Sequence, residues 1–280
     1  MAAMHNLNQM RMSALRPAAI AFDSVASTFD SRFGAWESVA AQRRAVRSML
    51  LSTFLPAGHI LELGGGTGED AAFLAERGYK VLLTDPSPTM VAHADAKLKP
   101  LGGQAQVADG EDLEAFAASH LSSNGQLFDG AFSNFAPLNC IVDLNPVARG
   151  LARILKPGAC AMLVLFGTFC PGEMITETLR GRPHLALRRC KRKEAPARLA
   201  GHAFNIMYHR GAAIQRAFSP WFVLEQRFGI GVTVPPSAAE PWITRHPRLL
   251  SAMERIDSSV SGPLAALGDH ILYKLRRSSL

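Results

Sequence analysis

The sequence predicts an α/β fold built on a doubly wound, mostly parallel sheet, and three observations carry that expectation. Short apolar runs of strand length alternate with helix-patterned segments from His59 to Gly167. The first run, HILEL, leads into a glycine-rich turn over residues 64–68 that opens a helix. The last run, DHILYKLRR, sets Ile271, Tyr273 and Leu275 at period two, as a closing strand does.

Residues 1–20 read as a flexible tail, and 21–280 as one domain. From Phe22 to Phe54 the pattern is helical. Val39, Val46, Met49, Leu50 and Phe54 recur at helical spacing, with Arg43, Arg44 and Arg47 on the more polar side. Pro56 and Gly58 break the pattern. HILEL then reads as a buried strand, and GEDAAFLAERG as a helix closed by Gly78. YKVLLTD is the second strand. SPTMVAHADAKL is a helix with Ser87 at the N-cap and Pro88 at its first position. QAQVADG is a short strand, and LFDGAFSNF a strand after a polar loop. NPVARGLARILKPG is a helix ending at Pro157-Gly158, before the apolar strand ACAMLVLFG. HRGAAIQRAFSPW is a helix and FVLEQRFGIGV a strand. Two intervals, about 168–208 and 235–268, fit no sheet element, and the second reads as helical after Pro235-Pro236.

Composition narrows the function classes. With 48% apolar residues a full core is available. No apolar run reaches the roughly 18–20 residues of a membrane span, and the N-terminus lacks the uninterrupted apolar stretch of an export signal. A cytoplasmic protein is expected. Cys140, Cys160, Cys170 and Cys190 are too sparse for a disulfide framework and lack zinc-ligand spacing, so no metal is expected. The net charge of +7 sits in one place: Leu179–Arg198 holds eight Lys or Arg and one acid, leaving the remainder neutral. A nucleic-acid-binding face usually spreads its basic residues more widely. The run would suit an anionic substrate, an acidic carrier protein or a lipid surface, or form a solvated helix face.

The glycine turn selects among cofactors. No Lys follows any of its glycines, which excludes a P-loop. A dinucleotide fingerprint starting at Gly64 would need glycine or alanine where Glu69 stands, and that carboxylate would repel a pyrophosphate at the helix N-terminus. What remains is an acid two residues before alternate glycines, a pattern compatible with a phosphate-free, cationic cofactor.

Glu62-Leu63-Gly64-Gly65-Gly66-Thr67-Gly68 resembles the first motif, ExGxGxG, of the class I S-adenosylmethionine-dependent methyltransferases. Asp85 in LLTDPSPTM matches the acid that holds both ribose hydroxyls, its two oxygens suiting a vicinal diol. Met90 matches the apolar residue that packs on adenine; Asp109 the acceptor of the adenine amine, with Gly110 and Glu111 beside it. FDGAFSNFAPLN matches the fourth motif, which brings Ser133 and Asn134 to the methionine moiety. The resemblance implies S-adenosyl-L-methionine as cofactor and a Rossmann-like sheet of seven strands with an antiparallel last strand. It implies substrate-cap insertions at the two unassigned intervals.

FDSVASTFD resembles the N-terminal helix of small-molecule enzymes of the ubiquinone/menaquinone C-methylase type. There Phe29, Phe33 and Trp36 would cover the sulfonium, and Arg43 or Arg47 would meet the cofactor carboxylate. Phe135, Asn139 and Tyr208 are the candidate substrate contacts; Phe169, His184, Phe204, Trp242 and His246 are further cap residues, and His209 and His270 candidate bases. Ser133-Asn134-Phe135-Ala136 lacks the run typical of amino-directed enzymes, and Leu138, not Cys, follows Pro137. The expected function is in-line methyl transfer to oxygen or carbon of a small organic acceptor, anionic or carrier-bound. The rivals are an RNA- or protein-directed enzyme using the 180–198 run, and a non-methylating protein that binds the same cofactor.

Overall fold

The computed structural model describes residues 15–190 and 194–279. Nine strands are present in the described chain: β1 (His59–Leu63), β2 (Lys80–Asp85), β3 (Gln104–Val107), β4 (Phe128–Ser133), β5 (Leu155–Phe166), β6 (Ala195–Leu199), β7 (His202–Ile206), β8 (Phe222–Ile230) and β9 (His270–Arg277). Seven form one sheet in the order β3-β2-β1-β4-β5-β9-β8, in which β9 alone runs against its neighbours. The expected seven-stranded, Rossmann-like sheet with an antiparallel last strand is therefore present.

Period-two burial explains the two layers of helices. Leu61, Leu63, Ala131, Ala161 and Leu163 face α6 (Leu113–Asn124), α7 (Asn145–Ile154) and α10 (Gly211–Phe218). Ile60, Val81, Leu83, Phe132, Met162 and Val164 face α3 (Glu37–Thr53), α4 (Glu69–Ala75) and α5 (Pro88–Leu98). Ser87 caps α5 by accepting the Met90 amide at 3.0 Å, as its position before Pro88 predicts.

Four sequence expectations need correction. The helical segment before β1 consists of α1 (Pro17–Asp23), α2 (Ala26–Phe33) and α3. Helix α1 begins inside the expected 1–20 tail, of which residues 1–14 lie outside the described residues. The polar loop before β4 contains α6; only a narrow stripe, Leu113, Ala117 and His120, is buried there, and Gly150 lets α7 approach so closely that an added methyl would meet Leu113 at 2.7 Å. Helix α7 ends at Ile154, before Pro157-Gly158, because Leu155 already pairs with Phe128 of β4. Finally, the 168–208 interval carries a separate two-stranded hairpin, β6–β7, besides α8 (Pro171–Leu179) and α9 (Pro183–Ala186). The 235–268 interval is helical as expected, chiefly α11 (Pro247–Val260).

The hairpin folds back over α1, with Phe22 and Phe204 ring centroids 5.8 Å apart. Phe22, Phe29 and Leu199 pack with Val25, Ala26 and Met90. Aspartates from the N-terminal helices tie this roof down. Asp23 accepts from the Ser87 hydroxyl and the Thr89 amide, and Asp30 from Thr67 and Lys97.

Candidate active site

A cavity of about 480 Å³ lies under that roof, beyond the carboxyl ends of β1, β2 and β4. The sheet order reverses direction between β1 and β4, the place where open α/β sheets bind ligands. Its two ends differ chemically.

Carboxylates dominate the end nearer β1–β3. Glu62 is buried with Oε2 unpartnered; burial, and then the neighbouring Asp70, hold its carboxyl well above the usual range. Burial likewise pushes Asp85 up to about 6, against the opposing pull of the Ser87 and Gly66 amides, which donate to its two oxygens at 2.9 Å each. Asp109 pairs with Arg16 at 2.8 Å and caps the turn that follows through the Glu111 amide. The glycines divide their work. Gly64, Gly66 and Gly68 all have positive φ, but an added Cβ would strike Pro137 at Gly64, crowd Ala94 at Gly68, and meet nothing at Gly66, which faces the cavity.

After β4 the chain holds Phe135 and Ala136 at φ of 56° and 64°, two successive left-handed residues without glycine. Each costs about 1–2 kcal/mol. Asn134 supports the turn, its Oδ1 accepting the Phe135 amide at 2.8 Å while Nδ2 donates to Asp70. Asn139 ties elements together, donating to Met207 O at 2.6 Å and accepting the Phe166 amide at 3.0 Å. Roof aromatics close this end: Phe29, Phe33 and Trp36 form a contiguous row with centroid spacings of 4.7 and 5.0 Å.

Of the sequence-predicted residues, Glu62, Gly64, Gly66, Asp85, Met90, Asp109, Gly110, Asn134, Phe135 and Asn139 line this cavity. Three do not. Gly68 is a helix N-cap packed on Ala94. The Ser133 hydroxyl is buried and donates to Leu63 O at 2.9 Å. Tyr208 sits behind Phe166, rings 5.9 Å apart. Arg43 lines the cavity 4.9 Å from the Phe135 ring, whereas Arg47 is turned to Asp70 at 2.6 Å. Of the cap residues only Phe204 reaches the cavity wall; His184, Trp242 and His246 are exposed, and Phe169 lines a separate depression with Arg189, Cys190 and Arg210. His209 is buried against Ile141 O at 2.8 Å, away from the cavity, but His270 lines it. Cys140 also reaches the wall, where burial pushes its thiol up to about 12, so it is no nucleophile at neutral pH.

Three arginines of the basic run pair with buried carboxylates, and Arg189 is itself buried. Arg182 pairs with Glu177, Arg188 with Glu173, and the buried Arg189 with both Glu173 and Asp269. Residues 191–193 lie outside the described residues. Sequence reasoning missed the cavity-lining Gln42, Asp269 and Phe166; the only visible hint was Asp269-His270 at the start of the last strand.

The family model described as a methyltransferase domain matches residues 60–158. The chain is 32% identical over 155 residues to the biotin biosynthesis bifunctional protein BioHC of Cellvibrio japonicus, covering 54% of this chain and 28% of that protein. It is 31% identical over 110 residues to a ubiquinone/menaquinone biosynthesis C-methyltransferase of Rubrivivax gelatinosus, and 29% over 107 residues to a tRNA 5-carboxymethoxyuridine methyltransferase of Escherichia coli. Each of these two matches covers 40% of the relative, and 39% and 38% of this chain respectively, so the chain spans less than half the length of the curated relatives it matches. Among solved structures, an S-adenosylmethionine-dependent methyltransferase from Listeria monocytogenes superposes with a TM-score of 0.59 at 15% identity, covering 86% of this chain and 98% of that one. The DhpI–SAH complex gives 0.54 at 15% identity over 94% and 97%. These likenesses assign the fold.

Proposed function

The chain matches a methyltransferase-domain model over residues 60–158, and from that premise we propose that it is a class I S-adenosylmethionine-dependent enzyme that transfers a methyl group to oxygen or carbon of a small, mostly apolar organic acceptor. The observation that supports this reading best is the continuity of the cavity. Its carboxylate end runs without a break into an aromatic end under the same roof.

The residues suit the cofactor. Asp85 keeps an oxygen on each of two backbone amides and still lines the cavity, where it can accept from a vicinal diol. Gly66 leaves open the volume a side chain would fill. Glu62 lines the same end as a buried carboxyl, which a neighbouring cationic group would return to its ionised form. Met90, Asp109 and Gly110 line the same end of the cavity and would border the adenine. Bound there, the cofactor supplies an electrophilic methyl group on a sulfonium. The chain's part is to align the acceptor, exclude water and line the approach with rings from Phe29, Phe33, Trp36 and Phe135.

A small acceptor fits better than a polynucleotide. The cavity is roofed, and the described arginines of the basic run, apart from Arg180 and the cavity-lining Arg198, are committed to buried carboxylates. No described helix is long and apolar enough to cross a membrane, and a cytoplasmic setting with a diffusible acceptor is the proposed one. The test is twofold. Calorimetry should give saturable S-adenosylmethionine binding that NAD does not displace. Incubation with a panel of phenols, carboxylic acids and β-keto acids should yield S-adenosylhomocysteine and a methylated acceptor. Tight, salt-sensitive tRNA binding with methylated tRNA as product would overturn the small-acceptor reading.

A further inference from the structure

Opposite the carboxylate end, the cavity wall holds a relay of polar side chains that cofactor binding leaves unused. It starts at Arg189, which is buried and donates to Asp269 Oδ1 at 2.7 Å and to Glu173. Burial alone would raise the Asp269 carboxyl; the buried Arg189 guanidinium and the Gln42 amide donate to it and help hold the group below the usual range, so it is an anion. Asp269 Oδ2 accepts from Gln42 Nε2 at 3.1 Å. That bond orients the amide, and Gln42 Oε1 then faces His270 Nδ1 at 3.1 Å. The second oxygen near Nδ1 is Asp269 Oδ2, at 3.4 Å.

Both groups at Nδ1 are acceptors, so the neutral imidazole carries its proton there. The lone pair is left on Nε2. That atom has no hydrogen-bond partner among the described residues and, unlike Nε2 of His120, is not sealed from the cavity. Phe166 stacks on the ring at 4.8 Å and Phe135 meets it edge-on at 5.9 Å, which fixes its plane. Phe135 belongs to the strained turn after β4, so the imidazole stands beside the segment expected to flank the reacting methyl group. Register completes the placement: His270 opens β9 opposite Phe166, the last residue of β5, at the carboxyl edge of the sheet.

The geometry points to His270 as the catalytic base that takes the acceptor's proton, with Gln42 and Asp269 as positioning residues. This rests on the methyl-transfer reading above, and it selects acceptors with an acidic O–H or an enolisable C–H. In the step, the acceptor's proton passes to His270 Nε2. The electron pair it leaves forms the new bond to the methyl carbon, and the carbon–sulfur bond breaks with its pair on sulfur. The imidazolium then returns its proton to solvent. The charged groups facing the ring are Asp269 from the residue before β9, Arg189 from the turn after α9 and Glu173 from α8; α3 contributes the neutral Gln42. Burial, the largest influence, holds the imidazole below its ordinary range and leaves it neutral at pH 7.

Two measurements test the assignment. In the ligand-free, ¹⁵N-labelled protein, long-range ¹H–¹⁵N correlation should show His270 as the Nδ1–H tautomer near neutral pH, and Gln42→Leu, which leaves only Asp269 Oδ2 at Nδ1, should weaken that preference. With S-adenosylmethionine and the acceptor panel above, His270→Gln should lower S-adenosylhomocysteine formation by about 10²- to 10⁴-fold while still binding the cofactor. The wild-type rate should fall on acidification with a limb that the variant lacks. An Nε2–H or charged His270 in the wild-type protein, or a His270→Gln rate within threefold of wild type, would overturn the base role. If the wild-type protein bound no S-adenosylmethionine, the functional reading would fall and the base role with it.

Discussion

At one end of the cavity the polar groups come from the carboxyl ends of successive strands, Glu62 and Asp85 from the last residues of β1 and β2 and Asp109 from the turn after β3. At the other end, Gln42 meets Asp269 across 227 positions and His270 across 228, and Arg189 reaches Asp269 from 80 positions away. The first end is local and leans on backbone amides. The second is a tertiary assembly whose charges neutralise one another. Damage at the first end should therefore weaken ligand binding and spare the fold; damage at the second should reach stability as well.

The largest effect is expected at Arg189. Arg189→Met leaves Asp269 without its buried cation and Glu173 with one fewer partner. A loss of about 3–5 kcal/mol is expected in denaturant unfolding, because a carboxylate stranded in the interior keeps its desolvation cost. A loss below about 1 kcal/mol would show that the network does not support the fold.

Asp85 should behave in the opposite way. Asp85→Ala should weaken S-adenosylmethionine binding by about 2 kcal/mol, with buried hydroxyls of the ligand left unpaired. Its pH signature has two signs. The folded-state value is raised to about 6, so the stability contribution is full below the unfolded value and is lost as pH rises through about 6. Cofactor affinity should rise over the same window, as the carboxylate that accepts from the ligand forms. Calorimetry across about pH 5 to 7 should show this slope in the wild-type protein and none in Asp85→Ala.

The glycines sharpen the contrast within a single turn. Gly66→Ala places a methyl in open cavity and should cut cofactor affinity more than stability. Gly68→Ala crowds Ala94 at φ 85° and should cost stability by about 1–2 kcal/mol. Equal effects of the two substitutions on cofactor affinity would contradict the division of roles. The smallest effect is expected at Asp30, whose partly exposed pair with Lys97 should contribute under about 1 kcal/mol when replaced by Ala.

This local-versus-assembled contrast also explains what could be read from the sequence. Ten of the predicted site residues line the cavity because they sit at a strand end, or in the turn or helix start that follows it, and those positions follow from apolar alternation. Ser133 faces the wrong way by the same period-two logic: its hydroxyl points into the sheet toward Leu63. Helix α6 was illegible because its buried stripe is built of small and polar residues, Ala117 and His120 after Leu113. The basic run looked like a solvated or ligand-binding patch, since nothing local announces that Glu173, Glu177 and Asp269 take up its arginines. Gln42 carried no signal at all; its role exists only once α3 meets β9.

A crystal structure with S-adenosylhomocysteine bears most directly on the central claim, because one ligand would span both ends. The ribose diol should lie on Asp85 with the backbone of Gly66 against the ligand, and the thioether sulfur should point toward Phe135 and His270. A nucleoside bound elsewhere, or a thioether directed away from the aromatic end, would contradict the account.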